Sequence, residues 1–149
     1  MRFTTKVEYG LVCLIYMARN TDRWISIQDL VEEEHFSLVY TQKILQRLRR
    51  ANIVTAHHGK QGGYSLASHP SQITLKVIIE ALDGQTFDIY CQPRIRAQIV
   101  CTHFSNCGVK QIWAKTKQML DEFFSSITLE DMAKDEKEIS QLMAVKQKL

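Results

Sequence analysis

Apolar residues first recur at a helical period. Val7, Leu11, Leu14, Ile15 and Ala18 share one side of a helix that Thr4 or Thr5 can cap and that ends near Asn20. Ser26 can cap a second, short helix from Ile27 to Glu33, and Ser37 opens a third with Ile44, Leu45, Leu48 and Ala51 inward. The pattern then changes to two short β-type runs, "NIVTA" and "GYSLA", separated by "HHGKQG". Gly59, Gly62 and Gly63 predict a hairpin with a long, flexible tip. Thr74 starts a fourth helix, with Leu75, Ile78, Ile79 and Leu82 on one face and Gly84 at its stop. Val109 to Ile127 reads as one long helix with the stripe Val109, Ile112, Trp113, Thr116, Leu120, Phe123, Phe124 and Ile127. That face is broader than one small domain buries, which makes this a dimerisation helix. "TLED", Thr128 to Asp131, matches a helix-capping box. The last segment carries Leu129, Met132, Ile139 and Leu142 among mixed charges and fits either a docked helix or a frayed tail.

Helix, short helix, helix and hairpin is the order of a winged helix-turn-helix. The expected fold is mainly α with a small β-hairpin. It divides into a reading head over residues 1–84, a cysteine-bearing loop over 85–107, the dimerisation helix over 108–127 and a C-terminal tail over 128–149. At 149 residues the chain can bury one real core. Lys6, Glu8 and Arg19 interrupt the N-terminus, and its longest uncharged run, Tyr9 to Ala18, is too short to span a bilayer. With no small-residue cleavage site there, the expectation is a cytoplasmic chain without a signal peptide or membrane helix.

Charge sharpens the picture. The net charge is only +3, yet Phe36 to Ile79 contains no acid while carrying Lys43, Arg47, Arg49, Arg50, Lys60 and Lys76. Such a half suits a polyanion, most simply double-stranded DNA, although a solvated basic face without a partner has the same composition. The third helix has the chemistry for reading bases. Away from Ile44 and Leu48, Gln42, Gln46 and Arg49 form one polar stripe, and Lys43, Arg47 and Arg50 the next. Glutamine pairs with adenine edges, arginine with guanine edges, and both cations hold phosphate. The first-turn residues Tyr40, Thr41, Gln42 and Lys43 would lie closest to the bases, and the later arginines nearer the backbone. At the wing, Lys60 among glycines can approach a phosphate closely.

Three of the four cysteines lie in "CQPRIRAQIVCTHFSNC". In a reducing compartment such a cluster is more often metal-binding or redox-active than a structural disulfide. Cys91, Cys101 and Cys107 are too far apart for helical spacing and lack the paired knuckles of structural zinc sites. Three loop thiolates and one further ligand suit an iron–sulfur cluster. Candidates for that ligand are Glu8, on the flank of the first helix, and His103, within the loop. Cys13 sits amid "LVCLIYMA", where a buried, inert thiol is the commoner outcome. A redox enzyme would need a C-x-x-C pair or a cysteine beside a base, and the spacing offers neither, nor a phosphate loop or paired acids.

These residues together resemble the IscR/NsrR family of winged-helix regulators, in which an iron–sulfur cluster controls DNA binding. The resemblance spans nearly the whole chain. It rests on "EYGLVCLIYMA", "QKILQRLRRANIVTA", "HGKQGGYSLA", "ITLKVIIEALDG" and "CTHFSNC", the glycine-rich wing and the C-x5-C pair being the most specific. The start, "GKQGG" and the late "TLEDM" look closest to the nitric-oxide-sensing NsrR branch. The resemblance implies a homodimer on a pseudo-palindromic operator, most simply as a repressor. It also implies a [4Fe-4S] or [2Fe-2S] cluster on Cys91, Cys101 and Cys107, completed by Glu8 from the partner subunit. Three positions depart from the family pattern. The gap between Cys91 and Cys101 is long, Lys110 stands where the IscR branch has a ligating histidine, and His58 replaces the usual basic residue before the wing glycine. A switch by cysteine oxidation or by a small ligand, without a cluster, is the alternative.

Overall fold

The computed structural model of the chain describes residues 3–87 and 106–146. Its elements are α1 (Thr5–Arg19), α2 (Ile27–Glu34), α3 (Leu38–Arg50), β1 (Val54–His57), β2 (Gly63–Leu66), a 3-10 turn (Pro70–Gln72), α4 (Leu75–Asp83), α5 (Gly108–Ser126), α6 (Leu129–Met132) and α7 (Glu136–Lys146). The mainly helical fold with one antiparallel hairpin is the expected winged helix-turn-helix.

Local chemistry accounts for most boundaries. Ser26 and Asp29 form a reciprocal capping box at α2: the Ser26 hydroxyl accepts from Asp29 N at 3.1 Å, and the Asp29 carboxylate accepts from Ser26 N at 2.8 Å. α2 ends on His35 in the left-handed region, φ 55°, and the chain turns within three residues into α3, capped by Ser37. Thr74 and Thr128 cap α4 and α6. Thr4 stands at the N-cap of α1, but its hydroxyl donates to both Asp83 carboxylate oxygens at 2.7 Å instead of capping the helix.

The core lies between α1, α3 and α4 and the inner face of the hairpin, with Leu14, Leu45, Leu48, Val54, Ile78 and Leu82 all buried. Gly10 lets α1 approach α4, since a Cβ there would collide with Leu82. In the hairpin Val54 faces Leu66 and His57 faces Gly63. A third short edge, absent from the sequence-based expectation, joins it: Ile25 and Tyr64 exchange two backbone hydrogen bonds of 2.8 Å.

The end of the chain folds back. Leu75 N donates to Ile127 O at 2.9 Å and Leu129 N to Ile73 O at 2.7 Å, which seats Leu129 in the core. α6 is therefore docked, and α7 is helical but carries no buried side chain among the described residues. On α5, Phe124 is buried and Leu120 half-buried, whereas Val109, Ile112, Trp113, Met119 and Phe123 are exposed. The expected single stripe thus divides into an inward edge and an outward one that includes Met119. Asp121 on the inward edge accepts from Thr86 and pairs with Lys117 at 3.1 Å and Lys76 of α4 at 3.7 Å. Among the described residues no helix is long and apolar enough to cross a membrane.

Candidate nucleic-acid interface and cysteine loop

α3 is amphipathic in the sense a reading helix requires. Ile44, Leu45 and Leu48 are buried, while Gln42, Lys43, Gln46, Arg49 and Arg50 are exposed. The Ser37 hydroxyl accepts from Tyr40 N at 3.3 Å and fixes the first turn, the part of such a helix that enters a major groove. Tyr40 is half-buried. Its ring meets Tyr9 edge-on at 5.3 Å, and Tyr9 in turn stacks on Phe36 at 4.0 Å, so one edge of Tyr40 remains available.

Of the expected contacts, Thr41 needs correction and Arg47 has a further partner. Thr41 is 1% exposed, and its hydroxyl donates to Ser37 O at 3.0 Å. It is one helical turn from Ile44 and Leu45 and belongs to the core face, not to the base-reading one. Arg47 is exposed but lies on the flank toward α4, where Nη1 donates to Leu82 O at 3.2 Å. That carbonyl, at the negative end of α4, also accepts from Lys6 at 3.4 Å. Arg47 thus spends one guanidinium donor on docking α3 against α4, while the side chain stays exposed.

One surface residue was missed. Val39 is 60% exposed and precedes Lys43, Gln46 and Arg50 at i+4, i+7 and i+11 on the outermost line of α3. An aliphatic group there suits a thymine methyl. The spacing of Val39 from Lys43, Gln46 and Arg50 is the sequence signal that marks it.

At the wing, His58 and Lys60 are exposed. Gly59 has φ 125°, and its carbonyl accepts from Gly62 N at 3.0 Å, closing the tip. A Cβ at Gly62 would stand 2.6 Å from His57 O, so the tight tip needs glycine there. Trp24, also absent from the sequence-based expectation, is 50% exposed and stacks flat on His57 at 4.1 Å.

Of the expected cluster ligands, Cys91, Cys101 and the alternative His103 lie outside the described residues. Cys107 is the N-cap residue of α5, half-buried, with a free thiol that makes no capping hydrogen bond. Glu8 is exposed on α1 and makes no ion pair or hydrogen bond among the described residues. Both therefore have the unengaged donor atoms that a ligand needs. Among the described residues no group of three or more His, Cys, Asp or Glu is arranged around a metal position. Cys13 is fully buried, and burial, reinforced by the Glu34 charge, pushes its thiol up to about 12, which leaves it protonated and inert.

Comparison with known proteins agrees with this geometry. Residues 3–135 match the model of the Rrf2 family, described as iron-dependent transcriptional regulators. The regulator IscR of Vibrio atlanticus is 26% identical over 136 residues, covering 91% of this chain and 76% of that protein. Among solved structures, CymR of B. subtilis, described as the global cysteine regulator, superposes with a TM-score of 0.73 at 27% identity, covering 89% of this chain and 96% of that one. IscR of T. potens does so with a TM-score of 0.68 at 28% identity, over 89% and 85% of the two chains. The Vibrio relative is named as a helix-turn-helix transcriptional regulator and the B. subtilis protein as a regulator. The chain belongs to the Rrf2 family of transcriptional regulators.

Proposed function

We propose that this chain is a cytoplasmic, homodimeric repressor that binds a pseudo-palindromic operator through α3 and the wing, and whose affinity is set by an iron–sulfur cluster. The observation that carries the DNA reading is the division of α3. Ile44, Leu45 and Leu48 are buried in the core, and a line of Val39, Gln42, Lys43, Gln46, Arg49 and Arg50 faces outward, in the same acid-free half of the chain as Lys60 of the wing. Glutamine, lysine and arginine supply base-edge and phosphate contacts, and His58 adds a weaker one while neutral.

The dimer reading is supported by α5. Val109, Ile112, Thr116, Met119 and Phe123 repeat at alternating steps of three and four, the period of a helix–helix seam, and most are exposed. A second copy would cover that seam and set the distance between two reading heads.

The cluster reading is supported by the three-thiol loop, by the free Cys107 thiol at the foot of α5, and by the unengaged carboxylate of Glu8. Cys91, Cys101 and Cys107 would hold the group, with Glu8 of the partner subunit or His103 as the fourth ligand. When bound, an iron–sulfur cluster supplies a centre that nitric oxide and oxidants consume. The chain's own part is to convert that loss into motion: thiolates on the loop and a carboxylate on the other subunit's α1 would cease to be tied together. A coupling of about 1–3 kcal/mol between the two sites corresponds to roughly a 5- to 150-fold change in operator affinity. The resemblance of the N-terminus and wing to the NsrR branch makes nitric oxide the proposed signal.

A second reading keeps the DNA interface and replaces the cluster by thiol oxidation or a small ligand. It draws on the likeness to CymR, which was also solved in an oxidised form from Staphylococcus aureus. Anaerobic purification of wild type and Cys91→Ser, with absorption spectra and iron and sulfide assays, separates the two. The proposal expects near-stoichiometric iron and sulfide in wild type and their loss in Cys91→Ser. A colourless wild type in which Cys91→Ser leaves the oxidant response of DNA binding intact favours the thiol switch.

A further inference from the structure

We propose that Trp24 is a positioning residue for DNA binding: its indole, stacked on His57, clamps the root of the wing so that His58 and Lys60 are presented to the duplex in place. This rests on the reading that the wing touches DNA.

The hairpin is too small to hold itself. Strands of four residues form at most a marginal ribbon, and its tip is built on glycines. Two devices outside the hairpin compensate. The Ile25–Tyr64 pair adds a third edge to β2 through two 2.8 Å backbone bonds. Trp24, the preceding residue, then lies over His57 with ring centroids 4.1 Å apart and planes 2° from parallel. His57 is the last residue of β1, the point from which the tip departs. Its Nε2 also lies 2.8 Å from Ser65 Oγ on β2. The ring is thus held on one face by the indole and at one edge by the hydroxyl.

The residue opposite His57 is Gly63, which leaves room for this crossing. A Cβ at Gly63 would stand 2.8 Å from Ile25 O, so the third edge comes this close only because that position is glycine.

Trp24 has no part in the hydrophobic core cluster and keeps half its surface in water. A large aromatic group in that position does little for global burial. What it does is immobilise one ring at the base of the tip. Ordering a loop before it meets its target removes an entropy cost from binding, and that saving appears as affinity.

The experiment uses the full chain and a duplex selected by the wild type from a random pool, with dissociation constants measured over a salt series. The variants are Trp24→Ala, Trp24→Phe, His57→Ala, Lys60→Ala and the double variant Trp24→Ala with Lys60→Ala. Lys60→Ala is expected to lower the salt slope by about one. Trp24→Ala and His57→Ala should each weaken binding roughly 2- to 10-fold, the worth of an aromatic stack, and Trp24→Phe should restore most of the loss. The decisive readout is non-additivity: if Trp24 acts through the tip, its removal costs little once Lys60 is gone. Full additivity, or unchanged affinity in both Trp24→Ala and His57→Ala, overturns the inference while leaving wing contact intact. If Lys60→Ala changes neither affinity nor salt slope, wing contact itself falls and the inference with it.

Discussion

In α3, Ile44, Leu45 and Leu48 are all buried within the chain; in α5, Phe124 is buried while Ile112, at 62% exposed, and Met119, at 59%, face water. Both helices are amphipathic, but only α3 has its apolar face covered by its own subunit. The outward face of α3 is then mainly polar and cationic, with Leu38 and Val39 as exposed apolar residues of its first turn. The outward face of α5 is apolar at a helix–helix period, as a surface for another copy must be. Burial within one chain therefore distinguishes the proposed reading helix from the proposed assembling helix more sharply than hydrophobicity along the sequence does.

The largest effect should come from α5. Ile112→Glu is expected to leave the reading head folded but to halve the mass by sedimentation. It should weaken operator binding roughly 10²- to 10⁴-fold, because two half-sites would no longer be engaged together. A dimer that survives this change would remove the contrast.

Leu48→Ala tests the other side. Deleting a fully buried leucine is expected to cost about 2–5 kcal/mol of stability, read by denaturant unfolding. Met119→Ala, measured the same way on the Ile112→Glu background, should cost far less.

Within α3 the contrast continues at single residues. Gln46→Ala should cost about 1–3 kcal/mol of operator binding and relax base preference at one position. Arg47→Ala should lower the unfolding midpoint, since its guanidinium caps α4 at Leu82 O.

A smaller effect lies at the α1–α4 junction. Burial alone would raise the Asp83 carboxyl, but hydrogen bonds from Lys6 and Thr4 outweigh it and hold Asp83 below the ordinary carboxylate range. The folded chain therefore takes up this proton at lower pH than the unfolded chain does. The contribution is complete above the ordinary carboxylate range and is lost as pH falls through the lowered value. Thermal midpoints from neutral pH into the acid range should decline less steeply in Asp83→Asn than in wild type.

Much of this was readable from the chain because it is local. The caps at Ser26, Ser37, Thr74 and Thr128 act on residues three positions away, and the inward faces of α1, α3 and α4 follow the helical period. The failures share a cause: the deciding partner is distant, or the residue type points the wrong way. Arg47 is held by a carbonyl 35 positions on, and nothing near it in the chain marks that. Thr41 is polar yet inward, and Val39 apolar yet outward, so residue type alone does not sort the first turn of α3. The Ile25–Tyr64 edge and the Trp24–His57 stack join a loop to a hairpin across many residues, and no periodicity reports them. On α5 the period was evident, but its division into a covered and an open edge required the position of α4. Of the candidate ligands, Glu8 and Cys107 are unengaged among the described residues, whereas Cys91, Cys101 and His103 lie outside them.

The central claim is that the cysteine loop controls the DNA-reading face. The most direct test is an operator-shift titration on one anaerobically purified sample, before and after nitric oxide, with the absorption spectrum and iron and sulfide content followed in parallel. The account predicts a coloured protein that binds the operator tightly, then bleaches and loses affinity together. A bleached protein with unchanged affinity, or a colourless one that binds equally well throughout, would contradict it.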